Sequence, residues 1–365
     1  MLLTTLTILG TLALCSVTAN QPEVKTPAGT FRGVYLTSHS GASFSAYRGV
    51  PYALPPTGER RFALPVRYPD TEGVRDASSF GSVCLQYTEH ASLGQEDCLF
   101  LNVYTPLVEK ETVDNDLKKV FVFLHGGGHV NGASNWYVPG NFVTRGDVIV
   151  VTINYRLGWL GYLRGNSNSL PGNQGFWDQI LALKWIKKNI RYFGGDPDGV
   201  TLSGESAGSV STSVLSISPL ATNLFNKALF LSGVVLVFPT IARDSNDLLQ
   251  IAANKFGCGE GDITGNEDTV VSCLRKTPAG NFVAEFDFDD LILSVSAEDE
   301  ILPKHPTILL NDSDYLSDVG FFNRDYIASV TGDDGYIIVN AGFGKVDTSS
   351  IDTAVRDISW WLPVG

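Results

Sequence analysis

Two uninterrupted runs of apolar and β-branched residues, Val120-Phe121-Val122-Phe123-Leu124 and Val148 to Ile153, constrain this chain more than any other feature. Runs without polar alternation are predicted as strands buried on both faces, as in a mostly parallel sheet covered by helices. A third, short strand is predicted at Gly199-Val200-Thr201-Leu202-Ser203. Between the second and third lies Phe176 to Ile190, where Trp177, Ile180, Leu181, Leu183, Trp185, Ile186 and Ile190 mostly follow helical spacing. Tyr192-Phe193-Gly194-Gly195-Asp196-Pro197 closes that helix with glycine and proline. Strand, helix, strand is the βαβ unit, so the predicted class is α/β, with a mostly parallel central sheet flanked by helices. Asp262 to Pro303 is less regular and reads as a peripheral excursion before a return to the sheet near Tyr326 to Val330.

With 365 residues the chain can form one large domain or two ordinary ones. Its net charge is −13 and no basic run stands out, so nucleic acid is not an expected partner. Leu2 through Cys15 is apolar and uncharged, and Val17-Thr18-Ala19 offers small residues before a cut. Residues 1–19 therefore read as a secretory signal peptide, although no Lys or Arg lies near Met1. A short anchor helix is the alternative. No other apolar run is long enough to span a bilayer. Beyond Cys15 remain Cys84, Cys98, Cys258 and Cys273, which suggest two bridges in an exported chain. Spacing favours the local pairs Cys84–Cys98 and Cys258–Cys273, and other pairings stay open. Each short loop is worth about 3 kcal/mol in the chain-entropy account. Asn311-Asp312-Ser313 is a glycosylation sequon that agrees with export. No Cys/His cluster has zinc spacing, and no metal or organic cofactor is implied.

Gly204-Glu205-Ser206-Ala207-Gly208 follows the short strand and precedes Ser209 to Ile217, a possible helix. In that strand–turn–helix context G-x-S-x-G predicts a tight turn that exposes the Ser206 hydroxyl above the sheet. The flanking glycines are then needed because larger neighbours would collide. A glycine-rich helix start is the plainer reading. His125-Gly126-Gly127-Gly128 stands directly after the first strand. Acyl transfer builds negative charge on a carbonyl oxygen, and preorganised backbone N–H groups stabilise it. A glycine stretch after a strand can turn its amides toward such an oxygen, and the Ala207 amide would add a donor.

With these motifs on hand, the chain resembles the type-B carboxylesterase and cholinesterase family of α/β-hydrolases. The resemblance runs through Tyr47-Arg48-Gly49-Val50-Pro51-Tyr52-Ala53, Glu96-Asp97-Cys98-Leu99-Phe100-Leu101-Asn102-Val103 and Asn154-Tyr155-Arg156-Leu157-Gly158. It continues through Gly172-Asn173-Gln174-Gly175, Asp178-Gln179, Phe193-Gly194-Gly195-Asp196-Pro197 and the Ser206 motif. It implies one α/β-hydrolase domain over residues 20–365. It implies Ser206 as nucleophile, Gly127, Gly128 and Ala207 as oxyanion donors, and small carboxylic esters as substrates. It also supports the two local disulfides. The family's triad acid falls in Thr331-Gly332-Asp333-Asp334-Gly335, which makes Asp334 the candidate where most members carry Glu. The same resemblance implies buried ion pairs Arg61 with Glu96 and Arg156 with Asp178. Ser232 matches a family serine near the acid, and Glu205 precedes the nucleophile; both are expected to support the site from behind.

A serine hydroxyl needs a base. None of the five histidines, His39, His90, His125, His129 and His305, matches the family's catalytic histidine. In relatives that residue lies well beyond the acid, so the domain is expected to be incomplete at its carboxyl end. The Cys84–Cys98 loop contains no Trp, which argues against an aromatic face for choline esters. A general secreted carboxylesterase is the expected function. The alternatives are a catalytically silent binding or adhesion protein and an inactive shortened form.

Overall fold

Five strands pair in parallel to make the half of the sheet that carries the predicted motifs. The computed structural model describes residues 21–88, 91–107, 117–165, 169–236, 245–284, 297 and 299–331. Residues 1–19 and Asp334 lie outside them. In chain order the strands are β1 (Glu23–Thr26), β2 (Gly29–Arg32), β3 (Val34–Thr37), β4 (Ser43–Pro51), β5 (Val74–Asp76), β6 (Gln86–Thr88), β7 (Ala91–Leu93), β8 (Phe100–Pro106), β9 (Lys118–Leu124), β10 (Ile149–Ile153), β11 (Gly195–Glu205), β12 (Lys227–Leu231) and β13 (Asp325–Ser329). The principal helices are α1 (Gly140–Gly146), α2 (Gly158–Tyr162), α3 (Gln174–Asn189), α4 (Ala207–Ser216), α5 (Ser245–Lys255) and α6 (Glu267–Lys276).

The main sheet has the order β13-β12-β11-β9-β10-β8-β4-β3. It is parallel from β10 to β13 and antiparallel from β10 through β8 and β4 to β3. Helix α3 links β10 to β11, and α4 links β11 to β12, as the βαβ reading requires. Helix α3 begins at Gln174, just ahead of the predicted Phe176, behind the left-handed Asn173. It ends in a 3₁₀ turn over Ile190–Phe193, closed by left-handed Gly194.

Two strands differ from expectation. Strand β10 is buried along its whole length, but β9 alternates: Val120, Val122 and Leu124 are buried, whereas Phe121 and Phe123 are half-buried. One face of β9 joins the main core with Ile180 and Ile186 of α3. Its other face meets a second, smaller apolar cluster that includes Phe44, Tyr104 and Val143, and aromatic partners, Phe142 at 5.0 Å from Phe121 and Tyr137 at 4.7 Å from Phe123. Strand β11 is longer than predicted because its pairing with β9 shifts register between Gly195 and Val200. The displaced residues form a local turn in which the Asp198 N–H donates to Asp196 Oδ1 at 2.9 Å.

Both expected ion pairs are present. Arg156 grips Asp178 bidentately, Nε to Oδ2 at 2.8 Å and Nη2 to Oδ1 at 2.7 Å, and its own N–H donates to Oδ2 at 3.0 Å. Its Nη1 reaches the Ala63 carbonyl at 2.8 Å, so one side chain joins three segments. Arg61 holds Glu96 through Nε at 2.6 Å and Nη2 at 2.8 Å. The remaining Nη1 donates to the carbonyls of Leu274, Arg275 and Thr277. Those acceptors lie at the carboxyl end of α6, where the helix dipole favours a cation. The excursion expected to be peripheral is therefore not so: α6 puts Val270, Val271 and Leu274 into the main core.

The bridges Cys84–Cys98 and Cys258–Cys273 are both formed. Glu96 lies within the first loop, and Cys273 lies on α6 beside the carbonyls that Arg61 caps. Asn311 is exposed, with its Nδ2 donating to the Thr307 carbonyl at 2.7 Å. Among the described residues no helix is long and apolar enough to cross a membrane.

Removing one partner of a fully buried pair strands the other charge, at a cost of about 3–5 kcal/mol. Arg156→Met is expected to lower stability by that amount in urea unfolding. Arg32→Met, which breaks an exposed pair with Glu23, is expected to cost about 1 kcal/mol or less.

Candidate active site

The carboxyl ends of the parallel strands lie in one row, because Gly204 pairs with Leu124 and Glu205 with Leu231, which in turn pairs with Ser329. In open α/β sheets this edge is where ligands bind. Strand β11 ends at Glu205 and α4 starts at Ala207, which leaves a single residue to reverse the chain. That residue, Ser206, adopts φ 55° and ψ −123°, a conformation that L side chains rarely occupy. The strain is held from both sides. The Ser206 N–H donates to the Leu231 carbonyl at 2.8 Å, and its carbonyl accepts from the Ser209 and Val210 N–H groups at 2.9 Å each.

Backbone crowds the turn. A Cβ at Gly204 would run into the Gly208 carbonyl, and one at Gly208 into the Leu124 carbonyl. Only hydrogen fits at either position. The glycine stretch after β9 comes against the same turn. A Cβ on Gly126 would stand 3.1 Å from Ser206 Cβ and 2.5 Å from Glu205 Oε2. Gly127 and Gly128 follow with φ 102° and 62°, and the Gly127 carbonyl accepts from the Val130 and Asn131 N–H groups at 3.0 Å each. Around Gly128 the space is nearly open, the nearest atom to a Cβ there being Val130 Cγ2 at 3.6 Å.

The far end of this loop is tied to the first disulfide loop by a fully buried side chain. Gln86 Oε1 accepts from the Gly132 N–H at 2.8 Å, while its Nε2 donates to the Gly132 and Cys84 carbonyls at 2.9 Å each. His125 stacks on Tyr155 with ring centroids 4.4 Å apart, and the Tyr155 hydroxyl donates to the His125 carbonyl at 2.6 Å. His125 Nδ1 lies 2.9 Å from the Gly126 carbonyl. His129 enters behind α4, with Nε2 2.9 Å from Ser211 Oγ. Burial pushes the His125 ring down to about 4 and the His129 ring down to about 3. Both rings are neutral at physiological pH, and neither pairs with Ser206.

Ser232 stands at the end of β12 with φ 58°, its N–H donating to the Ser329 carbonyl at 2.8 Å. A Cβ on the next residue, Gly233, would lie 2.6 Å from the Ser206 carbonyl. Ser206, Glu205, Ser232 and the glycine loop thus converge, and Asp334 lies outside the described residues. Gln86 and Ser211 carried no signal in the sequence; Tyr155 entered only within a family block, and Gly126 as the first of the three loop glycines.

The model of the carboxylesterase family matches residues 20–360. Esterase FE4 of Myzus persicae is 39% identical over 274 residues, covering 74% of this chain and 48% of its own. Acetylcholinesterase-1 of Trittame loki is 39% identical over 282 residues, covering 73% and 50%. Bile salt-activated lipase of Bos taurus is 35% identical over 365 residues, covering 95% and 59%. The chain spans about half the length of the first two.

The unfolded chain protonates its histidines near pH 6.5, whereas folded His125 and His129 resist protonation until about 4 and about 3. Between those values the unfolded state binds more protons, so stability falls as pH drops from 6.5 toward 3. The urea midpoint is expected to decline across that window, and to decline less steeply in His125→Tyr.

Proposed function

Because this chain belongs to the carboxylesterase family, we propose that it is built to hydrolyse carboxylic esters through an acyl-enzyme, with Ser206 as nucleophile. The observation that carries this reading is the Ser206 turn: φ 55°, glycine on both sides, and Gly126 against its Cβ. An ordinary helix start has no use for a strained, backbone-walled serine.

The Ser206 oxygen attacks the ester carbonyl, and the N–H groups of Gly127, Gly128 and Ala207 receive the oxyanion. Ala207 is the first residue of α4, so its N–H has no intrahelical acceptor and sits at the positive end of the helix dipole. One such donor is worth about 3 kcal/mol of barrier. Asp334 orients a histidine that takes the serine proton and returns it to the leaving alcohol. Water then attacks the acyl-enzyme and releases the acid. His125 and His129 are not that base, since burial keeps both neutral far below pH 7 and their rings are occupied elsewhere. The base is assigned to a residue outside the described ones.

Neutral esters of general carboxylesterase type fit better than choline esters, because the Cys84–Cys98 loop offers no tryptophan face to a quaternary ammonium. Two closed disulfides support folding in an oxidising, exported compartment after removal of residues 1–19. The exposed Asn311 suits a glycan there.

A serine-reactive fluorophosphonate is expected to label the folded chain, and Ser206→Ala, with unchanged circular dichroism, to abolish labelling. A folded wild-type chain that stays unlabelled would overturn the hydrolase reading and favour a catalytically silent binding protein.

A further inference from the structure

The proposed oxyanion donors come from two stretches far apart in sequence, Gly127–Gly128 and Ala207. Their mutual placement has to hold within about 0.5 Å for the cradle to work. Gly126 touches the turn, but a glycine cannot fasten anything by its side chain. The residue directly after the donors is His129, itself in the left-handed region at φ 61°.

Its ring leaves the loop and inserts behind the first turn of α4. Nε2 meets Ser211 Oγ at 2.9 Å, one helical turn along from Ala207, the first residue of α4. Ser211 receives a further bond from Gln179 Nε2 of α3 at 3.1 Å. The cluster closes without an ion: the neutral ring and the Ser211 hydroxyl share one hydrogen bond, and the Ser211 oxygen accepts from Gln179. Aromatic rings fill the remaining sides, Tyr162 at 4.8 Å, Phe176 at 5.4 Å and Tyr155 at 6.3 Å. The carbonyl of His129 accepts the Gly158 N–H at 2.8 Å, so the backbone behind the ring is held too. Packing alone would be served by a fourth aromatic residue. A polar ring here is explained by what it grips.

We propose that His129 is a positioning residue that locks the glycine loop to the amino-terminal half of α4, through Ser211, and so sets the spacing of the two halves of the oxyanion cradle. This rests on the hydrolase reading for its catalytic consequence, but the lock itself is a physical property of the chain. Without the lock, the loop and helix remain folded but their donors no longer converge on one oxygen.

Three variants of the chain test this. His129→Phe keeps the aromatic box filled and removes the ring hydrogen bond to Ser211. Ser211→Ala leaves His129 in place and removes the same bond from the helix side. His129→Asn tolerates the left-handed backbone and restores a polar partner toward Ser211. The first readout is amide hydrogen exchange over residues 204–211. It is expected to be at least about tenfold faster in His129→Phe and Ser211→Ala with the urea midpoint little changed, and partly restored in His129→Asn. The second is fluorophosphonate labelling of Ser206, resolved into reversible binding and the chemical step. A donor displaced by about 1 Å costs up to about a hundredfold, so the chemical step is expected to slow at least about tenfold in His129→Phe while reversible binding holds. Exchange within twofold of wild type in both His129→Phe and Ser211→Ala would overturn the lock. Faster exchange with an unchanged chemical step would overturn its catalytic consequence. A wild type that fails to label overturns the hydrolase reading alone, and the exchange result still decides the lock.

Discussion

Close backbone contact at Gly204 and Gly208, with Gly126 set against Glu205 and Ser206, is the constraint on which the rest of this structure depends. The end of β9, the end of β11 and the start of α4 meet there too closely for a Cβ on any of the three glycines. That contact fixes three things at once. It forces the one-residue reversal at Ser206, brings the glycine loop against it, and aligns the first helical N–H groups with the carboxyl edge of the sheet. A methyl group at any of the three would separate the elements. The loss would be geometric rather than hydrophobic, since glycine buries almost no apolar surface.

Charged clamps surround that contact. Arg156 and Arg61 each engage all three guanidinium nitrogens with a carboxylate and main-chain carbonyls from distant segments. A pair of this kind adds little net stability over apolar packing, but it allows few alternative arrangements. The loops around the carboxyl edge are thereby fixed in register with the sheet, and α6 is drawn into the core instead of hanging outside it.

How much of this was legible in the sequence follows from the range of each interaction. Strands β9 and β10, helix α3 and the Ser206 turn announce themselves through local pattern, and the structure places them within a few residues of expectation. The half-exposed face of β9 was not legible. Phe121 and Phe123 are as apolar as their neighbours, and only the sparse cover over that face distinguishes them. Gln86 sits in an unremarkable polar stretch, and its grip on Gly132 becomes visible only when residues 46 apart in sequence meet. His129 reads as one more residue flanking the glycines, because its partner Ser211 comes from another βα unit. The ion pairs were anticipated from resemblance alone, since spacing does not join Arg61 to Glu96.

Gln86 has a wider consequence. It lies inside the loop closed by Cys84 and Cys98, donates to the Cys84 carbonyl, and holds both polar groups of Gly132. A covalent ring thus serves as the anchor post for a stretch that has no side chains of its own to hold it. Where thiols stay reduced, the post is cut free from its ring and the glycines lose their mooring while the sheet beneath stays intact. The compartment in which the chain matures then governs the precision of its loop as well as its survival.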